Sequence, residues 1–134
     1  MLNDLLTIIF IILIVAYLSW QGYRYWYRHH YANYVESNEF EGLLRKGQLV
    51  DLRDPAAFRR KHILGARQFN IQQFEESLGA LVKSKPVLLY GGSRDVNTIG
   101  RAIRILHRSG YVEIYVLKFG IDYWEGKTKE NTEY

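Results

Sequence analysis

The chain divides sharply by polarity. Between Asp4 and Arg24 lie 19 residues without a formal charge, Leu5 to Tyr23, dense in Leu and Ile. As an α-helix rising ~1.5 Å per residue the run spans roughly 28 Å, close to the ~30 Å hydrocarbon core of a bilayer. It is apolar on every face, whereas a core helix of a small domain keeps a polar side. A cleaved leader would carry Lys or Arg before the run and a small-residue cleavage site after it. This sequence opens Met1-Leu2-Asn3-Asp4, and Ala16-Tyr17-Leu18-Ser19 is a poor site. Residues 1–23 are therefore expected to be a transmembrane anchor.

Residues 24–38 read as a juxtamembrane collar. Tyr23-Arg24-Tyr25-Trp26-Tyr27-Arg28-His29-His30-Tyr31 mixes amphipathic rings with cations suited to the headgroup layer. The flanks, Asp4 before the run and Arg24, Arg28, His29 and His30 after it, set the orientation. Positive flanks stay in the cytoplasm, so the expectation is a single-pass protein of the cell membrane with its N-terminus outside and its domain in the cytoplasm.

A compact domain is expected over 39–126, followed by a frayed polar tail, 127–134. Phe40, Leu43 and Leu44 share a face of a short helix stopped by Gly47. Gln48–Leu52 reads as a buried strand. Asp54-Pro55 is a helix start, with Asp54 as cap and Pro55 in the first turn. Gln68–Ile71 suggests another strand, and Phe74, Leu78, Leu81 and Val82 a helix over 72–84 that Lys85-Pro86 ends. Val87-Leu88-Leu89-Tyr90 is the clearest central strand. A helix over 97–109 with Ile99, Ala102, Ile103 and Leu106 inward, a strand over 113–117 and a short helix from Ile121 complete the series. Short apolar strands alternating with helices predict an α/β fold with a parallel sheet covered on both faces.

Composition narrows the chemistry. Cysteine is absent, which removes disulfides, thiolate metal sites and any thiol nucleophile. The formal net charge is +4, and because Asp4 lies before Arg24 the rest of the chain is slightly more basic. Such a balance favours an anionic bilayer surface. Nucleic acid is not expected as a partner, since the basic residues are scattered rather than gathered with stacking aromatics. His29 and His30 lack further ligands at a fitting spacing, so no metal and no cofactor is expected.

Asp51-Leu52-Arg53-Asp54-Pro55, then Phe58, then His62-Ile63-Leu64-Gly65-Ala66, resembles the rhodanese-like pattern of Asp-x-Arg, acid, Pro, aromatic and Gly-His-Ile-Pro-Gly-Ala. Lys61 replaces the leading Gly and Leu64 the Pro. Val87–Tyr90 resembles the strand that delivers the family's active-site loop, and Gly110-Tyr111 through Gly120, with Trp124, resembles its closing signature. The resemblance covers roughly 39–126. It implies a small α/β rhodanese fold in which Asp51, Arg53, His62 and Gly65 serve the structure.

Rhodanese-like sulfurtransferases place a Cys directly after that strand, and its thiolate carries sulfur as a persulfide. Here the corresponding residue is Gly91, followed by Gly92, Ser93, Arg94, Asp95, Val96 and Asn97. Persulfide chemistry requires a sulfur nucleophile, so no catalytic residue is assigned. Ser93 would need a paired base, which no sequence signature supplies. Gly91-Gly92 lacks the endings of nucleotide-binding loops. Gly91 to Asn97 is the candidate anion- or ligand-binding loop: small residues running into a helix start expose N–H groups, and Arg94 adds charge. Asp95 opposes an anion unless it serves as the helix cap; the alternative is that Asp95 or Asn97 merely caps the helix and Gly91-Gly92 allows the turn. Arg101, Arg104 and Arg108 share a helix face suited to lipid phosphates or an acidic partner. The expectation is a membrane-anchored, catalytically inactive binding module at the cytoplasmic face. Its partners would be the lipid bilayer and a further protein or small anionic ligand, and its oligomeric state is not legible. The alternatives are an enzyme using the pocket for non-sulfur chemistry and a structural subunit of a membrane complex.

Overall fold

A computed structural model describes residues 1–130. Helix α1 runs unbroken from Leu2 to Tyr31. It is the one helix among the described residues long and apolar enough to cross a membrane, with a mean hydropathy of 2.2 over an 18-residue window of which none is buried. No Pro or charge interrupts its first turns after Asp4, and the last two turns continue helical through the aromatic and basic residues.

After α1 come β1 (Asn33–Val35), α2 (Ser37–Leu43), β2 (Gln48–Asp51), α3 (Pro55–Arg60), β3 (Lys61–Ile63) and β4 (Arg67–Gln68). Then follow β5 (Val87–Tyr90), α4 (Val96–Arg108), β6 (Ile114–Leu117) and β7 (Thr128–Glu130). The main sheet has the order β1-β6-β5-β2-β4, and every neighbouring pair is parallel. β5 lies at its centre, with Val87, Leu88, Leu89 and Tyr90 all fully buried. Alternation sends Val87 and Leu89 to the face covered by α4, with Ile99, Ile103, Leu106, Phe69 and Phe74. Leu88 and Tyr90 meet Phe40, Ile63 and Ile121 on the other face. A strand buried on both faces reads as a continuous apolar run, and Val87–Tyr90 is one.

The sheet begins earlier than the expected boundary at Glu39. Asn33, Tyr34 and Val35, within the collar, pair with Tyr115, Val116 and Leu117 as the edge strand. The polar tail likewise contributes structure: Thr128–Glu130 pairs antiparallel with Lys61–Ile63. Residues 131–134 of the expected tail lie outside the described residues.

The helix expected over 72–84 is replaced by two single 3₁₀ turns, Ile71–Gln73 and Leu78–Ala80. Tertiary partners take up the backbone groups a helix would have used. The Tyr111 hydroxyl lies 3.0 Å from both the Leu78 and Leu81 carbonyls. The Gln48 amide accepts from the Val82 N–H at 2.6 Å and donates to the Val82 carbonyl at 2.8 Å. Phe74 and Leu81 still reach the core, whereas Val82 is half exposed.

Candidate functional site

Parallel sheets bind ligands beyond the carboxyl ends of their strands, where the backbone leaves the sheet and loops converge. Here that end is built on a buried charge pair. Asp51 closes β2 with no exposure, and its Oδ2 meets Arg53 Nη2 at 2.8 Å while its Oδ1 accepts from the Arg53 backbone N–H at 2.8 Å. The same guanidinium donates to the Lys61 carbonyl, tying the start of α3 to β3. Burial works against the Arg53 charge, but the Asp51 carboxylate more than offsets it and holds the guanidinium pKa above its ordinary value. The Tyr90 hydroxyl accepts from the Ile63 N–H at 3.1 Å. Burial first, and the adjacent Asp51 carboxylate second, raise the Tyr90 phenol far above its usual range, so it stays neutral.

The other motif residues are also structural. Asp54 accepts from the Ala57 N–H at 2.8 Å and caps α3. His62 lies within β3, its ring stacked on Phe58 at 3.8 Å and its Nδ1 2.8 Å from the Phe58 carbonyl. Gly65 makes the turn to β4 with φ of +91°.

From Tyr90 the chain enters the loop. A Cβ built on Gly91 would lie 3.0 Å from Asp95 Cβ and 3.2 Å from Asp95 Oδ2. The Asp95 side chain thus crowds the space in which a side chain at position 91 would begin. Its Oδ2 accepts from the Gly92 N–H at 2.8 Å and makes no cap bond to α4, although Asp95 holds the N-cap position. A second carboxylate serves the next residue: Asp122 Oδ2 accepts from the Ser93 N–H at 3.1 Å. That backbone bond, with the Ser93 side chain behind it, holds the Asp122 carboxyl below its ordinary pKa. Two N–H groups that open the loop therefore face carboxylates of the chain itself. Asn97 does not cap the helix either; its Oδ1 accepts from Arg24 Nη2 at 2.6 Å. Ser93 and Arg94 are exposed, and Val96 is half exposed.

The far wall is the segment after β6. The Ile121 N–H donates to the Gly91 carbonyl at 3.0 Å. Gly120, at φ +70°, approaches so closely that a Cβ there would lie 2.4 Å from the Gly91 oxygen. Phe119 precedes it at φ +63°, a left-handed conformation unfavourable for an aromatic residue, and is 69% exposed. Its ring meets Tyr123 edge-on at 5.8 Å. One cleft lies between Gly92, Ser93, Val96 and Phe119. A broader, polar one lies on the other side of the loop, between Arg53, Asn70, Gln72 and Asp95.

None of the four histidines is hydrogen-bonded to Ser93. His62 packs on Phe58, His107 on Tyr31, His29 on Tyr34 and His30 on Trp26. Among the described residues no three His, Cys, Asp or Glu side chains gather as a metal site. Of the loop's neighbours, Asp122, Phe119 and Tyr34 escape a reading of the sequence. Only Gly120 offers a signal, as a glycine closing the strand that precedes it.

Comparison with known proteins agrees with this architecture. The family model of the rhodanese-like domain matches residues 36–127. The uncharacterized protein YqhL of Bacillus subtilis (strain 168) is 34% identical over 123 residues, 92% of this chain and 96% of that one. A full-length protein from Lactobacillus plantarum superposes with a TM-score of 0.65 at 20% identity, over 90% of this chain and 96% of that chain. The rhodanese-like domain of the Alr3790 protein from Anabaena sp. gives 0.62 at 23% identity, over 72% and 78%.

Proposed function

The chain belongs to the rhodanese-like family and contains no cysteine, and from that premise we propose that it is a membrane-anchored, catalytically inactive rhodanese-like domain that acts as a binding module at the cytoplasmic face. The family's sulfur transfer needs a thiolate, and the seat of that side chain is crowded by Asp95. A carboxylate is too weak a nucleophile toward sulfane sulfur to replace it, and it repels the anionic donors the cradle would otherwise attract.

The observation that carries the reading is the bond between Arg24 and Asn97. Arg24 is the first charged residue after the apolar run, and Asn97 is the last residue of the loop and lies in the first turn of α4. The end of α1 and α4 run side by side in the same direction, from this bond to the meeting of Tyr31 with His107. The loop 91–97 accordingly faces the bilayer side of the domain, with exposed Phe119 at its lip. An exposed aromatic in a strained backbone conformation, beside a preformed cleft, is the composition of an interaction site. The partner is a protein reached at the membrane surface.

The experiment is affinity capture from detergent-extracted membranes with the full chain and with a Ser93→Glu, Arg94→Glu variant. Both side chains are exposed, so the fold tolerates the change. A partner retained by the native chain and lost by the variant supports the reading. Equal retention transfers recognition to the helix faces and overturns the role of the loop.

A further inference from the structure

The junction of α1 with α4 holds an unusual concentration of unpaired positive charge. Arg24, Arg28 and Arg104 line one narrow cleft, together with Tyr23, Tyr27 and Asn97. All three arginines are partly buried. No carboxylate lines the cleft, and the ion pairs among the described residues, Met1 with Asp4, Arg53 with Asp51 and Lys61 with Glu130, involve none of them. The Arg28 guanidinium lies against the buried Tyr34 hydroxyl, a neutral group that leaves its charge uncompensated. Gly100 makes the approach possible: a Cβ there would lie 2.9 Å from Arg28 Cδ.

Crowding three guanidinium groups away from full solvent is unfavourable unless an anion joins them. The position of the cleft indicates which anion. It opens where the apolar run ends, beside an exposed belt of Trp20, Tyr23 and Trp26, with Arg24 over the Trp20 ring at 5.0 Å. Tyr and Trp side chains in such a belt mark the headgroup layer. Guanidinium groups present planar forks that match phosphate oxygens in pairs. We propose that Arg24, Arg28 and Arg104 bind the phosphate of an anionic glycerophospholipid, clamping one headgroup between the membrane helix and α4. The site is separate from the loop; it rests on the anchored reading of α1 and not on the identity of any protein partner.

The test uses the full chain reconstituted in nanodiscs of mixed phosphatidylglycerol and phosphatidylcholine, followed by native mass spectrometry of the lipid retained after release into detergent. Retention of phosphatidylglycerol in preference to phosphatidylcholine is expected, with the preference falling about tenfold in Arg104→Gln, the change expected for loss of one charged hydrogen bond. Arg104→Lys, which keeps the charge, recovers part of it, and Arg59→Gln on α3 leaves it unchanged. Equal retention of the two lipids, or an Arg104→Gln variant that retains phosphatidylglycerol like the native chain, overturns the proposal. Complete displacement by millimolar inorganic phosphate would make this a free-phosphate site and overturn the lipid assignment. Resistance of the reconstituted chain to carbonate extraction reports the anchor independently, so failure of the anchor and failure of the lipid site are distinguishable.

Discussion

At Gly91 the chemistry turns on what occupies the space a side chain would fill. Asp95 stands 3.0 Å from that space and takes the Gly92 N–H. A cysteine installed there in this cysteine-free chain would share the site with a carboxylate, which disfavours the thiolate. Gly91→Cys is expected to titrate above the ordinary ~8.5, and the further change Asp95→Ala to bring it below, because the freed N–H and the start of α4 then face the sulfur. The pH dependence of alkylation reads both, and a depressed value in the single variant would show that Asp95 does not guard the seat. Asp122 supplies a second prediction. Its pKa is held down by Ser93, so its contribution is present above the unfolded value and is lost as pH falls through the lower, folded one. Amide protection at Ser93 should persist at neutral pH and decline below about pH 4, and Asp122→Asn should remove that dependence. Protection that stays flat across this acid range in the native chain would deny the bond its role. Asp51 is different in kind, being fully buried under Arg53. Asp51→Ala leaves a buried guanidinium uncompensated and should cost about 3–5 kcal/mol in chemical denaturation of the full chain in micelles. A loss under about 1 kcal/mol would mean that solvent reaches the pair.

Among the elements, β2, β5, β6 and α4 were legible because each announces itself locally. β5 is an uninterrupted apolar run, and α4 places Ile99, Ala102, Ile103 and Leu106 on one buried face. The motif at Asp54-Pro55 gives the start of α3 to the residue. The elements that escaped are those whose partners are distant. β1 is hidden among collar aromatics and exists because β6 leaves its edge open to Asn33–Val35. The stretch after Ile71 has a helical spacing of apolar residues, yet Gln48 and Tyr111 satisfy its backbone from elsewhere. In the site, Gly91 to Asn97 could be located by sequence as the loop after a central strand. The direction of Asp95, back toward Gly92 rather than along α4, depends on backbone geometry that no spacing encodes. The contact of α1 with α4 also depends on shape. Gly100→Leu should force Arg28 away, break the Tyr27–His107 contact of 3.2 Å and free the domain to swing about α1. Spin labels on α1 and α4 would report a broadened distance distribution; an unchanged distribution would show that the junction is not the hinge.

For the whole molecule, one continuous helix runs from the apolar segment to the edge of the sheet, and the same helix α4 that packs on the sheet also receives its Arg24, Tyr27 and Tyr31. If α1 spans the bilayer as proposed, the carboxyl ends of the strands present the altered loop on the side of the domain nearest to it. A rhodanese-like scaffold used this way keeps its cleft and gives up its nucleophile, so the full chain in micelles should transfer no sulfur from thiosulfate to cyanide above the buffer blank. The most direct measurement is site-specific photo-crosslinking in intact membranes, with the probe at Phe119 on the lip of the cleft and, separately, at Arg59 on α3. The account predicts a discrete adduct with a membrane protein from position 119, none from position 59, and its loss when Ser93→Glu and Arg94→Glu are added. No adduct at position 119, or the same adduct from both positions, would contradict it.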